Sequence, residues 1–307
     1  MSGKGTKNNK DKNGNGAPIC LSALNCFFVN ARGLLSKIDV LRDCAVQMKL
    51  DIIGVAETFL NSEVLQAEIY IDGYKIYRKD RCNVKAGKCG GVILYIRDDI
   101  ISYECDDLNG FNCESVWGKI KTERNDELTV GVCYKSQAAE ERELDEMFEA
   151  IKGASKGRIL LMGDFNYPSI NWETLECDSA GSKFMDLVLD NYLCQHVKVP
   201  TRDRNVLDLV ITSDVNMVEN LRVLEHLGGS DHNIITWQLI CNVGIGKSKQ
   251  PVRQYHKADY VGMKKWFEEI DWIKEFIDYG LDGTWDKFCS IINLAVNKFV
   301  PMGHNKA

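Results

Sequence analysis

Proline is scarce in this chain, 5 in 307 residues, and with 25 glycines the sequence lacks the composition of an extensively disordered protein. No apolar run approaches the ~20 residues that a membrane-spanning helix needs, which excludes such a span. Met1 to Gly16 is mostly Lys, Asn and Gly without an apolar centre, so it is not a secretory signal. It reads as a disordered basic arm over residues 1–18. There is no C-x-x-C among the 12 cysteines, and no cysteine pair beside a histidine pair at finger spacing. That excludes a zinc finger. Cys26, Cys133 and Cys194 lie inside apolar stretches, where a thiol behaves as a small hydrophobe. With no export signal the expected compartment is reducing, nuclear or cytoplasmic and not secreted. Excess positive charge is also lacking: the formal net charge is −6. Any binding of nucleic acid must then rest on a local patch or on bound cations.

What is present is the balance of a folded protein, 45% hydrophobic and 27% charged. Leu21–Asn30, Asp51–Glu57 and Gly90–Ile96 read as strands. Ser36 is expected to cap a helix with Ile38, Leu41, Ala45 and Met48 on one face. Ser115–Lys121 and Glu127–Tyr134 read as a hairpin, followed by a helix over Glu140–Lys152 and a buried strand over Arg158–Met162. Ser182–Asn191 is expected to be helical, and Val206–Thr212 and Asn233–Ile240 to be strands. Hairpins mixed with helical connections imply mixed sheets covered by helices. From Gly244 the texture changes to a linker and then to Trp-bearing helices over Ala258–Phe267, Asp271–Asp278 and Thr284–Phe299. One basic patch stands out: Arg78, Lys79, Arg81, Lys85 and Lys88, opposed only by Asp80. On charge alone it reads as a solvated loop.

Polar groups gather at strand ends, where an α/β sheet collects its site. Asn30 follows Cys26-Phe-Phe-Val, Glu57 follows Ile52-Ile-Gly-Val-Ala, and Asp164 and Asn166 follow Ile159-Leu-Leu-Met-Gly. Asp208 lies early in Leu207-Asp-Leu-Val-Ile, and Asp231 and His232 follow Gly228-Gly-Ser. Singly, each has a bland reading as a turn former, helix cap or surface turn. Together they suit phosphodiester hydrolysis, which needs oxygen ligands for a hard cation, a group to orient water and a donor at the phosphate oxygens. His232, oriented by a carboxylate, can bind or protonate an oxygen.

At these residues the sequence resembles the endonuclease/exonuclease/phosphatase superfamily. It is similar to apurinic/apyrimidinic endonucleases and most similar to the endonuclease domain of LINE-type, non-LTR elements of the jockey kind. The motifs are Phe28-Val-Asn-Ala-Arg-Gly-Leu, Val55-Ala-Glu-Thr, Gly90-Gly-Val-Ile-Leu-Tyr, Val132-Cys-Tyr and Met162-Gly-Asp-Phe-Asn. Pro200-Thr-Arg, Leu207-Asp-Leu-Val-Ile-Thr and Gly229-Ser-Asp-His complete the set. They occur in the family's order from about residue 20 to 241.

The resemblance implies a four-layer α/β sandwich of two mixed β-sheets flanked by helices, over residues 19–243. Residues 244–307 look like the linker and helical C-terminal extension that such elements place before a reverse transcriptase, which is absent here. The resemblance also implies Mg²⁺, with Mn²⁺ as an alternative, and DNA, double-stranded, as partner. Asn30 and Glu57 would sit at the metal and Asp231 would complete its shell. Tyr134 would contact the phosphate. Asp164, with Asn166 beside it, would position or deprotonate the attacking water, and Asp208 would orient His232 at the scissile phosphate. Thr201 would lie near the substrate backbone, and Arg78, Arg81 and Lys88 would guide the DNA. Base-repair relatives carry Asp at the position of Arg32, which weakens an abasic-site reading. His232 is expected on an exposed loop, so that His232→Ala reduces nicking strongly without abolishing folding. Two rivals stay open. One is a phosphoesterase of the same fold acting on RNA, a nucleotide or a phosphoinositide. The other is a catalytically silent fragment that binds nucleic acid or partners through Trp266, Trp272 and Trp285.

Overall fold

The apolar runs become strands covered on both faces, which is why they show little polar alternation. In chain order the first are β1 (Cys20–Asn30), β2 (Ile52–Ala56), β3 (Tyr74–Lys79), β4 (Val92–Arg97), β5 (Ser102–Glu104) and β6 (Ser115–Lys121). β7 (Glu127–Tyr134), β8 (Arg158–Asp164), β9 (Cys194–Gln195), β10 (Asp208–Thr212), β11 (Val218–His226) and β12 (Asn233–Gly244) follow. They form two six-stranded sheets, ordered β11-β12-β1-β2-β4-β3 and β5-β6-β7-β8-β10-β9. Each is mixed: β1 runs parallel to β2 and β7 parallel to β8, while the other pairs are antiparallel. This computed structural model describes residues 20–81, 90–122, 126–244, 252–253, 255–277 and 279–303. The N-terminal arm lies outside them.

Helix α1 (Ile38–Gln47) links β1 to β2, α2 (Asp106–Asn109) is a single turn, α3 (Glu141–Ala154) links β7 to β8, and α4 (Ser179–Asp190) follows β8. α1 buries Ile38, Leu41 and Ala45 on the expected face. Ser36 is not its cap: a 3-10 turn over Leu35–Lys37 precedes the helix, and no side chain bonds its first turn. α4 is capped by the Asp178 carboxylate, which accepts the Gly181 N–H at 2.9 Å.

Residue alternation sorts each strand between two cores. Along β8, Leu160 and Met162 enter the core between the sheets, while Ile159 and Leu161 pack with α3 and α4 residues such as Ile151 and Phe184. Along β1, Leu24, Cys26 and Phe28 face between the sheets, and Phe27 and Val29 lie with Leu41 and Ala45 of α1. The result is helix, sheet, sheet, helix, the four layers expected.

Gly163 matters to this packing. A Cβ there would strike the Cys133 carbonyl of the neighbouring strand, which is backbone and cannot swing aside. Gly163→Ala is therefore expected to cost about 1–3 kcal/mol, the usual range for overpacking. Chemical denaturation checks this, and a variant as stable as the parent would show that β7 and β8 separate freely.

The chain divides into two compact units, residues 1–246 and 247–307. The second contains α5 (Tyr260–Glu268), α6 (Trp272–Phe276) and α7 (Leu281–Phe299). Asp259 and Asp271 cap the first two by accepting the Gly262 and Lys274 N–H groups at 2.8 and 3.2 Å. Trp272 stacks on Phe267 at 6.0 Å between ring centres, Trp266 lies 6.1 Å from Phe299, and Trp285 stacks on Phe288 at 5.8 Å. Trp266 and Trp272 thus pack helix against helix, whereas Trp285 and Phe288 lie together on α7. No described helix is long and apolar enough to cross a membrane.

Candidate active site

Alternation also explains how the polar residues converge. Asn30 continues the Leu24, Cys26, Phe28 face of β1, and Tyr134 the Leu128, Val130, Val132 face of β7. Asp164 continues Leu160 and Met162, and Asp208 precedes Val210 on the same face. β10 runs antiparallel to β8, with Asp208 opposite Asp164. All four side chains therefore cap one rim of the core between the sheets. Glu57, just past β2, has φ 48°, and Asn166, two residues past β8, has φ 49°. Neither is glycine, and such left-handed residues concentrate at sites that the surroundings over-determine.

Asn30, Asp164, Asp208 and His232 are each 0% exposed. The Asn30 amide Nδ2 donates to Glu57 Oε1 at 3.0 Å and to Asp164 Oδ2 at 2.9 Å, while its Oδ1 accepts the Arg32 N–H at 3.1 Å. Asp164 Oδ1 accepts the Asn166 N–H at 3.1 Å, and Asn166 Nδ2 donates to the Lys135 carbonyl at 2.9 Å. His232 Nδ1 is 2.8 Å from Asp208 Oδ2, and its Nε2 is 3.8 Å from Asp164 Oδ2. Asp208 Oδ1 and His232 Nε2 are buried with no hydrogen-bond partner, atoms a bound group would satisfy.

Electrostatics follow from this crowding. Burial pushes the Asp164 carboxyl far above the usual range, and the Asp208 charge adds to it. Burial works to depress His232, but the hydrogen bond and charge of Asp208, with Asp164 and Asp231, outweigh it and leave the imidazole more basic than usual. Burial raises the Tyr134 hydroxyl strongly, and the Glu57 carboxylate beside it raises it further, so the phenol stays protonated.

Could these residues hold a cation? Glu57 and Asp164 each turn one carboxylate oxygen to the same Asn30 amide nitrogen, so the two carboxylates converge, and carboxylate oxygens are the ligands a hard ion takes. Asp164, Asp208 and His232 also each offer a ligand atom, all within 4.8 Å of one another. The donors fit a divalent ion with an oxygen-rich shell.

Other expected residues stand apart from this cluster. Asp231 Oδ2 is gripped by two guanidinium groups, Arg32 at 2.8 Å and Arg202 at 2.7 Å, although its buried Oδ1 lacks a partner. Thr201 is fully buried, and its hydroxyl accepts the Leu207 and Asp208 N–H groups at 3.1 Å each, so it fixes Asp208 from within. His232 is not on an exposed loop. It is sealed beneath Ser230, whose hydroxyl accepts the His232 N–H at 3.2 Å and donates to the Asn30 carbonyl at 2.7 Å.

The basic patch is not a solvated loop where it is described. Arg78 and Lys79 are the last residues of β3. Arg78 grips Asp80 at 2.6 Å and bonds the Val64 carbonyl at 2.9 Å, Lys79 reaches the Asn109 carbonyl at 3.0 Å, and Arg81 pairs with Glu114. Lys85 and Lys88 lie outside the described residues. Sequence reasoning missed Ser230, Arg202 and Lys135, whose Nζ sits 4.5 Å from the Tyr167 ring centre. Ser230 and Arg202 lay inside motifs already quoted, whereas nothing in the sequence marked Lys135.

This fold is the one seen in AP endonuclease-like structures. Within it, residues 128–236 match the sequence model of the endonuclease-reverse transcriptase family. The structure superposes on the endonuclease domain of TRAS1, a telomere-specific non-LTR retrotransposon, with TM-score 0.54 and 18% identity, covering 70% of this chain and 98% of that one. For the AP endonuclease of Leishmania major the TM-score is 0.56 at 14% identity, covering 71% and 88%. For the Neisseria 3′ phosphatase NExo bound to a product DNA hairpin it is 0.53 at 13%, covering 70% and 99%. No curated protein matches the chain by sequence.

Proposed function

We propose that the protein is a divalent-metal-dependent DNA endonuclease that nicks one strand, derived from a non-LTR retrotransposon polyprotein. The observation that carries this is the convergence of Asn30, Glu57, Asp164, Asp208 and His232 on one buried rim. The matched family and the likeness to the TRAS1 domain support the element origin. Residues 244–307 are proposed as the linker and connector toward a polymerase, and residues 1–18 as a solubilising arm.

Glu57 and Asn30 would hold Mg²⁺, or Mn²⁺, with Asp231 able to join through the oxygen its arginines leave unpaired. When bound, the ion supplies Lewis acidity and neutralises phosphate charge. Asp164, supported by Asn166, orients a water and takes its proton as the water oxygen bonds to phosphorus and the P–O bond of the leaving strand breaks. His232 is held by Asp208 with Nε2 toward the site, and its N–H donates to a phosphate oxygen. Tyr134, kept protonated, donates to another. Thr201 contributes through Asp208. Arg78 and Arg81 are occupied within the protein, so of the basic residues expected to guide the DNA only Lys88, outside the described residues, is kept in the proposal.

Supercoiled plasmid with Mg²⁺ tests the reading. Conversion to relaxed circles is expected, lost in EDTA and restored by added Mg²⁺ or Mn²⁺. Intact plasmid together with hydrolysis of a small phosphoester would assign the fold to a different substrate.

A further inference from the structure

Beside Asn166 a cavity of about 370 Å³ opens, lined also by Lys135 and Arg202. It shares Pro168 and Asn205 with a second, of about 710 Å³, that reaches Trp172, Lys198 and Arg204. The two therefore adjoin, and together their linings run from Asn166 at the catalytic rim to Trp172 and Lys198. Its charge departs from that of the chain: Lys135, Lys198 and Arg204 face Asp203 and Glu173, while Arg202 is paired with Asp231, in a protein of net charge −6.

The cations are held there by structure. Lys135 is 8% exposed, yet among the described residues its ammonium lies over the Tyr167 ring rather than in an ion pair. Arg202 and Asn205 close a tight turn by a β-bridge, with Asp203 at φ 51°, and this turn presents Arg204 outward. Lys198 and Arg204 are exposed, and neither has an ion pair among the described residues. The Trp172 indole N–H, on the groove wall, is buried without a partner.

Lys135, Lys198 and Arg204, without ion pairs among the described residues, along a channel with amides and an unsatisfied donor between them, fit a chain of phosphates and sugars better than a compact ligand. We propose that this groove carries the DNA strand away from the cut, with Lys135 at the first phosphate beyond the scissile one and Lys198 and Arg204 further along. The proposal rests on the endonuclease reading and adds where the strand runs.

The test is anisotropy of a labelled DNA duplex in EDTA, over a salt series, with the parent and the double variant Lys198→Gln/Arg204→Gln. Each lost phosphate contact lowers the slope of log affinity against log salt by about 0.9, so the variant should be shallower by roughly 2 and bind on the order of tenfold more weakly. In Mg²⁺ its KM for nicking should rise while kcat holds. Lys152→Gln/Lys183→Gln, on α3 and α4, should change neither. A parent that nicks, with a groove variant of unchanged slope and KM, overturns the groove alone. A parent that neither binds nor nicks DNA, or that binds only RNA, overturns the endonuclease reading and the groove together.

Discussion

Asp164→Asn is expected to lower plasmid nicking on the order of 10³-fold while the protein stays folded, the range for losing a positioned general base. The substitution keeps the shape of the side chain, and the new amide oxygen can still accept the Asn166 N–H that Asp164 Oδ1 accepts now at 3.1 Å. What it removes is a carboxylate whose charge is costly to bury. Burial and the neighbouring Asp208 have already driven the Asp164 pKa far upward, so a neutral isostere relieves that cost. Against this stands one awkward contact, because the Asn30 amide now donates to Asp164 Oδ2. Thermal melting should therefore show a midpoint close to that of the parent. Nicking that persists at the parent's level in a folded Asp164→Asn protein would remove Asp164 from the chemistry and leave a silent binding fragment as the better account. A large fall in melting temperature would instead make the residue structural.

The parts of the fold visible in the sequence were those buried on both faces. β2, β8 and β10 have apolar runs, and the β6–β7 hairpin falls where expected, at Ser115–Lys121 and Glu127–Tyr134. The strands missed are the sheet edges. β3 and β11 flank the first sheet, and β5 and β9 flank the second. β11 reads Val-Glu-Asn-Leu-Arg-Val-Leu-Glu-His, half exposed throughout, and β3 is Tyr-Lys-Ile-Tyr-Arg-Lys with one buried residue. An edge strand meets water along much of its length, so its sequence resembles a loop. The same blindness made the basic patch look like solvated chain, when Arg78 is part of β3 and bonded to Asp80.

At the candidate site, which residues converge was legible and their environment was not. Strand-end position and motif named Asn30, Glu57, Asp164, Asp208 and His232, and the rim brings them together. Pairing across space left no such trace. Asp231 lies beside His232 in sequence, but its carboxylate is bound by Arg32 and Arg202 from two distant segments. Thr201 carries a hydroxyl suited to a substrate, but it is turned inward to the N–H groups that start β10. A Ser-Asp-His turn also gives no hint that its histidine is wholly enclosed.

That enclosure changes what mutation of His232 would do. His232→Ala would leave a void and strip Asp208 of its 2.8 Å partner, so a stability loss of about 3 kcal/mol is expected alongside lost activity. The cleaner measurement is a cycle of Asp208→Asn, His232→Gln and the double variant. Asp208 supplies both the hydrogen bond and the charge that keep the imidazole basic against the depressing effect of burial. Asparagine removes that charge while keeping an acceptor, so the His232 pKa should fall toward or below that of free imidazole. NMR titration of the ring reads this directly, without substrate. Each single variant should nick about 10²-fold more slowly, and the double variant should be little worse than either, because the two residues act as one unit. Multiplied losses would mean that Asp208 and His232 serve separate steps. An unmoved imidazole pKa in Asp208→Asn would mean that the 2.8 Å contact holds the ring in place without setting its proton.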